Sequence, residues 1–185
     1  MTRINLQDIN ANEFALVYNW RLNLKALPVG LQTLTGIPAD AIGENGMLNV
    51  NCTSAGIPKS IIRPVNPMIR GMQTIQSGGR TAEQSIDLTF VERRDWSISR
   101  FFETWKTYIF DMAAGTGNSK VNYISTDGNF RLELLTETYD ADIQATYVLQ
   151  YAFPSAVSYT ALGSNVGEVA TTSVTMSFAT FTIEY

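Results

Sequence analysis

Histidine is absent from this 185-residue chain, and cysteine occurs once, as Cys52. Without imidazoles or paired thiols the chain cannot form a His/Cys zinc site, a Ser-His-Asp or Cys-His nucleophile, or an imidazole pH switch. One cysteine also excludes an internal disulfide. The acids Glu137, Asp140 and Asp142 lack the spacing of a calcium loop, and we interpret them as solvated turn residues. We therefore expect a protein that is not an enzyme and that needs no cofactor or metal.

Charged side chains are also scarce, at 16% of the residues against about 25% in typical soluble domains. Hydrophobic residues make up an ordinary 45%, and neutral polar residues fill much of the gap. Either the surface is neutral and polar or neighbouring chains cover part of it, and we favour the second interpretation. The N-terminus has no apolar leader and no uncharged apolar run reaches about 18 residues. Neither signal-peptide secretion nor membrane insertion is expected.

The net charge of -4 is distributed unevenly along the chain. Residues 59–106 contain eight basic and five acidic side chains, whereas residues 107–185 contain two basic and eight acidic ones. Net acidity argues against binding of nucleic acid through phosphate neutralisation. The basic and acidic blocks can pair across copies of the chain, in head-to-tail association, or between neighbouring segments of one fold. The sequence leaves both arrangements open.

Alternation of apolar and polar residues is the main secondary-structure signal. It predicts strands over residues 14–25, 47–53, 85–91, 121–125, 130–136, 145–151 and 173–183. In the second of these strands Cys52 is expected to face the core, and an Asp-Gly pair at 127–128 predicts a tight hairpin. The phase shifts within 173–183, which indicates a bulge or burial on both faces. The predicted fold class is mainly β, a two-sheet β-sandwich or barrel.

Helical periodicity occurs strongly in one segment, at about residues 97–114. Ser97 or Asp95 is the expected N-cap, and Gly115 is the expected stop. The apolar residues of this segment form a stripe at helical spacing: Ile98, Phe101, Phe102, Trp105, Tyr108, Ile109 and Met112. Such a stripe is typical of packing rather than of ligand binding. We expect one α-helix that flanks the sandwich and buries this stripe in the core.

Residues 54–84 follow neither pattern. Prolines and glycines interrupt this segment, basic and aliphatic residues are scattered through it, and it has no acidic residue before Glu83. A stretch of this length is rarely an unstructured loop within a compact domain, and it is too aliphatic for typical disorder. We predict an extended arm or long hairpin whose apolar residues pack outside their own domain, in preference to a locally packed loop.

The order of these elements resembles that of the tail tube proteins of contractile-tailed bacteriophages. The resemblance covers most of the chain by element order. The features that carry it are the early strand Tyr18-Asn19-Trp20-Arg21-Leu22, the basic arm, a strand leading into the aromatic helix (Ile86 to Met112), and Phe153-Pro154 with Gly167-Glu168 before a closing strand.

The resemblance implies a single domain, residues 1–185, whose copies form six-membered rings stacked into a hollow tube in the virion tail. Related tubes occur in R-type pyocins and type VI secretion. Sheath and baseplate proteins would be further partners, and DNA would pass through a neutral or acidic channel without specific binding. The protein would be made in the cytoplasm of the host bacterium.

In that family the long arm contacts neighbouring subunits. Ten residues of this arm are the expected interface: Lys59, Ile61, Ile62, Arg63, Met68, Ile69, Arg70, Met72, Ile75 and Arg80. Two alternative functions stay open at this point. One is a β-sandwich module that binds carbohydrate or protein, and the other is a baseplate protein that initiates the tube.

Overall fold

A computed structural model describes residues 20–34, 37–38, 40–43, 46–70, 72–73, 75–119, 124–125, 130–135, 143–160 and 169–185 of the protein. The helices within these ranges are α1 (Met47–Asn51) and α2 (Ser97–Ile109). The strands are β1 (Trp20–Leu24), β2 (Cys52–Ala55), β3 (Ser60–Val65), β4 (Met68–Ile69), β5 (Met72–Gln73), β6 (Gln76–Ala82), β7 (Ser85–Val91), β8 (Phe110–Asp111), β9 (Thr116–Gly117), β10 (Phe130–Leu135), β11 (Ile143–Gln150), β12 (Phe153–Tyr159), β13 (Thr171–Ser177) and β14 (Thr180–Glu184).

Two four-stranded antiparallel sheets form the body of the protein. Sheet I has the strand order β1-β10-β11-β14, and sheet II has the order β12-β13-β7-β2. Because successive side chains of a strand point to opposite faces, each sheet contributes alternate residues to a shared core. Sheet I supplies Leu22, Leu24, Phe130, Leu149 and Phe181, and sheet II supplies Ile86, Leu88, Phe90, Val174 and Met176. The predicted mainly-β fold with two sheets and a flanking helix is confirmed.

Helix α2 lies across one end of sheet II. It begins shortly after β7, its Ser99 hydroxyl lies 2.9 Å from the hydroxyl of Thr172 at the start of β13, and Glu103 accepts a hydrogen bond from Tyr159 at the end of β12. The helix therefore crosses three strands of the sheet at this end. We call this the helix end of sheet II.

The prediction of a strand over residues 47–53 is wrong for its first five residues, which form helix α1. Met47 and Leu48 are buried, whereas Val50 is exposed. The helical turn lets the side-chain oxygen of Asn49 accept a hydrogen bond from the backbone N–H of Leu22 at 3.0 Å. This segment is too short for periodicity to distinguish a helix from a strand, so tertiary contacts determine its conformation. Cys52, which begins β2, is partly buried against the core.

The single strand predicted over residues 173–183 is two strands in different sheets. Strand β13 belongs to sheet II and β14 to sheet I, and Phe178 and Ala179 connect them. The backbone N–H of Phe178 donates to Gln84 next to sheet II, and that of Ala179 donates to Gln150 in sheet I. The shift in apolar phase therefore marks the crossing from one sheet to the other.

Several predictions fall partly or wholly outside the described residues. They include the first six residues of the strand predicted over 14–25, the Asp-Gly turn at 127–128, and the acids Glu137, Asp140 and Asp142. Of the strand predicted over 121–125, Ser125 is described, and it forms an isolated antiparallel bridge with Ala152.

Candidate assembly surfaces

A two-stranded hairpin extends from sheet II at the end opposite to helix α2. Strands β3 and β6 form its stem, and β4 and β5 form its tip. The hydrogen-bond ladder between β2 and β7 continues into the stem, because the N–H of Gly56 donates to Asp87 at 2.9 Å and that of Glu83 donates to Lys59 at 2.8 Å. We call residues 57–82 the arm, and the end of sheet II from which it leaves the arm end.

Most of the arm residues whose burial is described are exposed. All six residues of β3 are exposed, and toward the tip Met68, Met72 and Ile75 are 76%, 72% and 80% exposed. Apolar patches of this kind on a soluble protein mark interaction surfaces. An isolated two-stranded hairpin is also marginally stable in water. The arm therefore exposes apolar surface that the described part of the subunit does not cover.

All ten predicted interface residues lie on the arm. Lys59 precedes β3, and Ile61, Ile62 and Arg63 lie within it. The others are Met68 and Ile69 in β4, Arg70 in the turn that follows, Met72 in β5, Ile75 just before β6, and Arg80 in β6. Lys59, Arg63 and Arg70 have no ionic partner within the described part of the chain.

Two backbone features shape the arm. A Cβ on Gly78 would lie 2.3 Å from the carbonyl oxygen of Arg63, so the close approach of β6 to β3 requires glycine at this position. At the tip, Arg70 has a φ of 50°, a left-handed conformation that is costly for a residue with a side chain. An arginine is thus held at the apex of the tip although the turn favours glycine or asparagine.

The face of sheet II that points away from the core consists mainly of small hydroxyl side chains. One register row across the sheet joins Ser158, Ser173, Thr89 and Ser54. In another row Thr175 donates to the carboxylate of Asp87 at 2.7 Å. This face carries no lysine or arginine on the described strands, and Asp87 is its one charged residue. We call it the hydroxyl face.

The corresponding face of sheet I differs in its charge. Arg21 pairs with Glu133, and Arg131 pairs with Glu184 at 2.9 Å. Across the described strands, sheet II therefore presents a neutral to acidic face, whereas the charges of sheet I are paired and Glu133 is buried.

The helix stripe is placed largely as the spacing predicts. Ile98, Phe101, Phe102 and Trp105 are buried, and Phe102 contacts the ring of Phe90 at a centroid distance of 5.3 Å. Tyr108 and Ile109 are partly buried against the core. The inclusion of Met112 is wrong, because the helix ends at Ile109 and Met112 is 88% exposed beyond it.

The N-terminus of α2 is held by Glu92, a buried carboxylate that the sequence analysis missed. Its oxygens accept hydrogen bonds from the backbone N–H groups of Ile98 at 3.1 Å and Ser99 at 3.0 Å, and from both the Ser99 and Thr172 hydroxyls. Burial alone would raise the pKa of Glu92, but these hydrogen bonds outweigh it and lower the pKa. The N-cap residue itself is Trp96, with a φ of 55°, rather than Ser97 or Asp95. Asp95 instead accepts from the N–H of Ser97 at 3.3 Å.

A second carboxylate, Glu103, joins α2 to sheet II. Glu103 accepts hydrogen bonds from Tyr159 and, at 2.8 Å, from Lys106. Burial opposes ionisation of Glu103, but the two donors outweigh it and lower its pKa. The pKa of Tyr159 is raised, first by burial and then by its hydrogen bond to Glu103.

An open groove with a volume of about 480 Å³ lies beside α2. Its lining includes Leu34, Arg100, Glu103, Tyr108, Asp111 and Asn118. The amide of Asn118 donates to the carbonyl of Tyr108 at 2.6 Å, which fixes the β8–β9 hairpin as one wall. We call this the helix groove.

These surfaces carry no recognisable catalytic group. The described residues contain no cluster of three or more potential metal ligands. Burial raises the pKa of the Cys52 thiol to about 12, against a smaller lowering by a hydrogen bond to Ser54, so this thiol stays protonated. No helix in the described ranges has the length and apolar character needed to span a membrane.

Known proteins share this fold. Curated protein sequences give no significant match. A chain in the cryo-EM structure of the anti-feeding prophage baseplate, 6-fold symmetrised, is similar with a TM-score of 0.61 and 11% identity over 94% of this chain and 97% of that one. A chain in the PVC sheath/tube terminator in its extended state has a TM-score of 0.57 and 11% identity, over 95% and 99% of the two chains.

The anti-feeding prophage cap also contains a similar chain, with a TM-score of 0.56 and 14% identity over 95% of this chain and 97% of that one. At these identities the structures establish a common fold. The sequence itself matches the family model described as phage tail tube protein over residues 16–184. Because that match spans nearly the whole chain, the protein belongs to the phage tail tube protein family and is a structural component of the virion tail rather than an enzyme.

Proposed function

We propose that copies of this chain form six-membered rings that stack into a hollow tail tube, through which DNA leaves the virion. The exposed apolar arm is the observation that carries the proposal. In this assembly residues 1–185 act as a single domain, and the arm contacts neighbouring subunits through the ten residues named above.

The chemistry of the arm favours assembly between copies. Its exposed side chains include seven aliphatic residues and methionines, which gain free energy when a partner removes them from water. The arm also leaves the body at one end of sheet II, and in the proposed tube the arm of each copy contacts the body of the next copy, which is a heterologous contact. Heterologous contacts generate rings when the rotation closes and extended filaments when it does not. A tube of stacked rings contains both kinds of contact, because the contacts within a ring close and the contacts between rings continue along the tube axis.

The hydroxyl face is the proposed channel wall. A wall that carried lysine or arginine would bind the phosphates of DNA and retain it. The described strands of sheet II instead present serine and threonine together with Asp87. Such a surface lets DNA pass without specific binding. We place the paired charges of sheet I away from the channel.

Sheath and baseplate proteins are the proposed partners of the assembled tube. Two of the similar structures, a sheath/tube terminator and a baseplate, support this part of the proposal. A role as the initiating ring of the baseplate stays an alternative. The binding-module alternative is less favoured, because Trp105 is buried and Trp20 packs against the core, which leaves Trp96 as the one exposed tryptophan.

Electron microscopy of the purified protein tests the proposal. We expect rings or tubes, and we expect Met72→Ser to weaken their formation because it removes an exposed apolar side chain from the arm. Val50→Ser is the matched control, since Val50 is 71% exposed and Met72 is 72% exposed, but Val50 lies outside the arm. Light scattering over a concentration series gives the critical concentration of each variant.

Deletion of residues 64–78 separates assembly from folding. The described residues of this segment lie in the arm and outside the core, so the shortened chain should keep the circular dichroism spectrum of a folded, mainly-β protein and form no tubes. A strictly monomeric unmodified protein at high concentration contradicts the proposed function. Loss of folding on deletion would instead place the arm in the core.

A further inference from the structure

The arm tip and the helix groove of one copy lie too far apart to contact each other. The arm continues sheet II beyond Ser85, whereas α2 crosses the sheet near Phe90 and Thr172. The stretch from Ser60 to Ile69 spans about 30 Å when extended, at about 3.3 Å per residue. The two surfaces therefore point in opposite directions along the strands.

The arm tip presents an unusual combination of side chains. Met68 and Met72 flank the turn, and both are highly exposed. Arg70 occupies the apex in a left-handed conformation, which costs on the order of 1 kcal/mol for a residue with a Cβ. Within the described part of the chain Arg70 has no ionic partner. The tip is thus a cation between two flexible apolar side chains.

The helix groove has complementary chemistry. Leu34 and Tyr108 supply apolar surface, and Glu103 and Asp111 supply two carboxylates. The volume of about 480 Å³ lies within the range of pockets that hold small ligands, which is enough for a few side chains. Asp111 has one oxygen, Oδ1, that accepts from the backbone N–H groups of Ala113 and Ala114 at 2.9 and 3.2 Å. Its Oδ2 has no hydrogen-bond donor among the described residues.

We propose that the arm tip of one subunit binds in the helix groove of a second copy, with Arg70 paired to Asp111 and the two methionines packed on Leu34 and Tyr108. The inference rests on the proposed tube assembly and assigns the acceptor site of the arm. Because tip and groove lie at opposite ends of the subunit, the contact joins successive copies along one direction. It therefore links rings that stack rather than closing a dimer.

Arg100 also lines the groove and would repel Arg70. Arg100 and Asp111 are eleven positions apart, and the nine helical steps to Ile109 alone cover about 13 Å at about 1.5 Å per residue. The tip cation is therefore placed at the Asp111 end of the groove. Lys106, the other cation nearby, is already paired with Glu103.

Charge reversal with rescue tests the pair. Arg70→Glu and Asp111→Arg should each raise the critical concentration for tube formation by on the order of tenfold. The double variant should recover most of that loss, because it restores an opposite-charge pair. Arg63→Glu is the control for specificity, since Arg63 lies in the stem of the arm and Asp111→Arg should not rescue it. Circular dichroism checks that each variant is folded.

A thiol cross-link tests the same contact without altering charge at Arg70. In a Cys52→Ser background, Met72→Cys combined with Leu34→Cys should form disulfide-linked multimers on mild oxidation of assembled tubes, because Leu34 lines the groove and Asp111 keeps its carboxylate. Each single thiol variant should give no ladder of multimers on a non-reducing gel. Met72→Cys combined with Val50→Cys is the matched control, and it should also give no ladder, because Val50 is exposed but does not line the groove.

The outcomes separate this inference from the function it rests on. Tubes that form normally but show neither rescue nor cross-linking overturn the assignment of the groove and leave the tube function intact. Absence of rings and tubes from the unmodified protein overturns both. Rescue together with a ladder establishes the contact.

Discussion

The hydroxyl of Thr172 donates a hydrogen bond of 2.9 Å to the carboxylate of Glu92, which joins the start of β13 to the end of β7. The same carboxylate accepts from the first N–H groups of helix α2, where the partial positive charge of the helix N-terminus also stabilises it. One side chain therefore connects two strands of sheet II to the helix that crosses them.

We expect Glu92→Gln to destabilise the subunit by about 1.5–3 kcal/mol, because a neutral amide loses charge-assisted hydrogen bonds and directs an N–H₂ group toward backbone donors. Chemical denaturation monitored by circular dichroism measures the change. Glu83→Gln is the matched control. Glu83 is exposed beside the arm and no described residue bonds its side chain, so its substitution should change the stability by less than about 0.5 kcal/mol.

The same residue should shape the acid side of the stability profile. A carboxylate whose pKa is lower in the folded state than in the unfolded state stabilises the fold above its unfolded pKa of about 4.3. That contribution is lost as the pH falls through the folded pKa. Stability should thus fall more steeply below about pH 4.3 in the unmodified protein than in Glu92→Gln. Parallel acid limbs in the two proteins would show that folding does not lower the pKa of Glu92.

The helix stripe predicts a contrast between two of its members. Phe102→Ala should destabilise the subunit by about 3–5 kcal/mol, because it leaves a cavity beside Phe90 in the core. Met112→Ala should change the stability by less than about 0.5 kcal/mol, since that side chain is exposed. Thermal or urea denaturation of both variants measures the difference. A large effect of Met112→Ala would place this residue in a contact that the monomer does not contain.

The hydroxyl face predicts how the tube treats DNA. Asp87→Arg places one cation per subunit on the proposed channel wall, so assembled tubes should bind DNA at low salt and release it steeply as the salt concentration rises. Asp87→Asn, which removes charge without adding a cation, should not bind DNA. A gel-shift titration of preformed tubes measures retention. If Asp87→Arg tubes bind no DNA at low salt, Asp87 does not face the channel.

The arm predicts a salt-sensitive assembly. No described ion pair joins residues 59–106 to residues 107–185, so the basic and acidic blocks are not neutralised against each other within the described part of one subunit. Combined Arg63→Glu and Arg70→Glu should raise the critical concentration for assembly. Added salt should weaken the unmodified contacts to a smaller extent, because each exposed pair contributes only about 0–1 kcal/mol. An unchanged critical concentration in the double variant would exclude an electrostatic role for the arm.

The elements that could be predicted from the sequence are those in which packing against the core requires regularly spaced apolar residues. Strand β7 and the buried part of α2 follow directly from alternate or helically spaced apolar residues such as Leu88 and Phe102. The arm was predicted because its aliphatic residues follow neither the alternation of a strand nor the spacing of a helix. Helix α1 could not be predicted, because the side chain of Asn49 bonds β1, a contact between distant parts of the sequence.

The positions of the candidate surfaces could not be predicted from the sequence, because they depend on tertiary contacts. No sequence pattern distinguishes Glu92 from the other acidic residues. Its role depends on the fold, which brings the hydroxyls of Ser99 and Thr172 to its carboxylate. The hydroxyl face depends on strand register, since Ser173 and Thr89 align only when β13 pairs with β7. The groove depends on the β8–β9 hairpin folding back beside α2.

The short connection through Phe178 and Ala179 has a mechanical consequence. Its two N–H groups bond Gln84 beside sheet II and Gln150 in sheet I, so each sheet is fastened to the crossing point within two residues. Sliding one sheet along the other would stretch this link and break both hydrogen bonds at once. A force applied at the arm end, where Gln84 lies, is therefore transmitted to sheet I through this short connection. The two sheets are expected to resist sliding past each other.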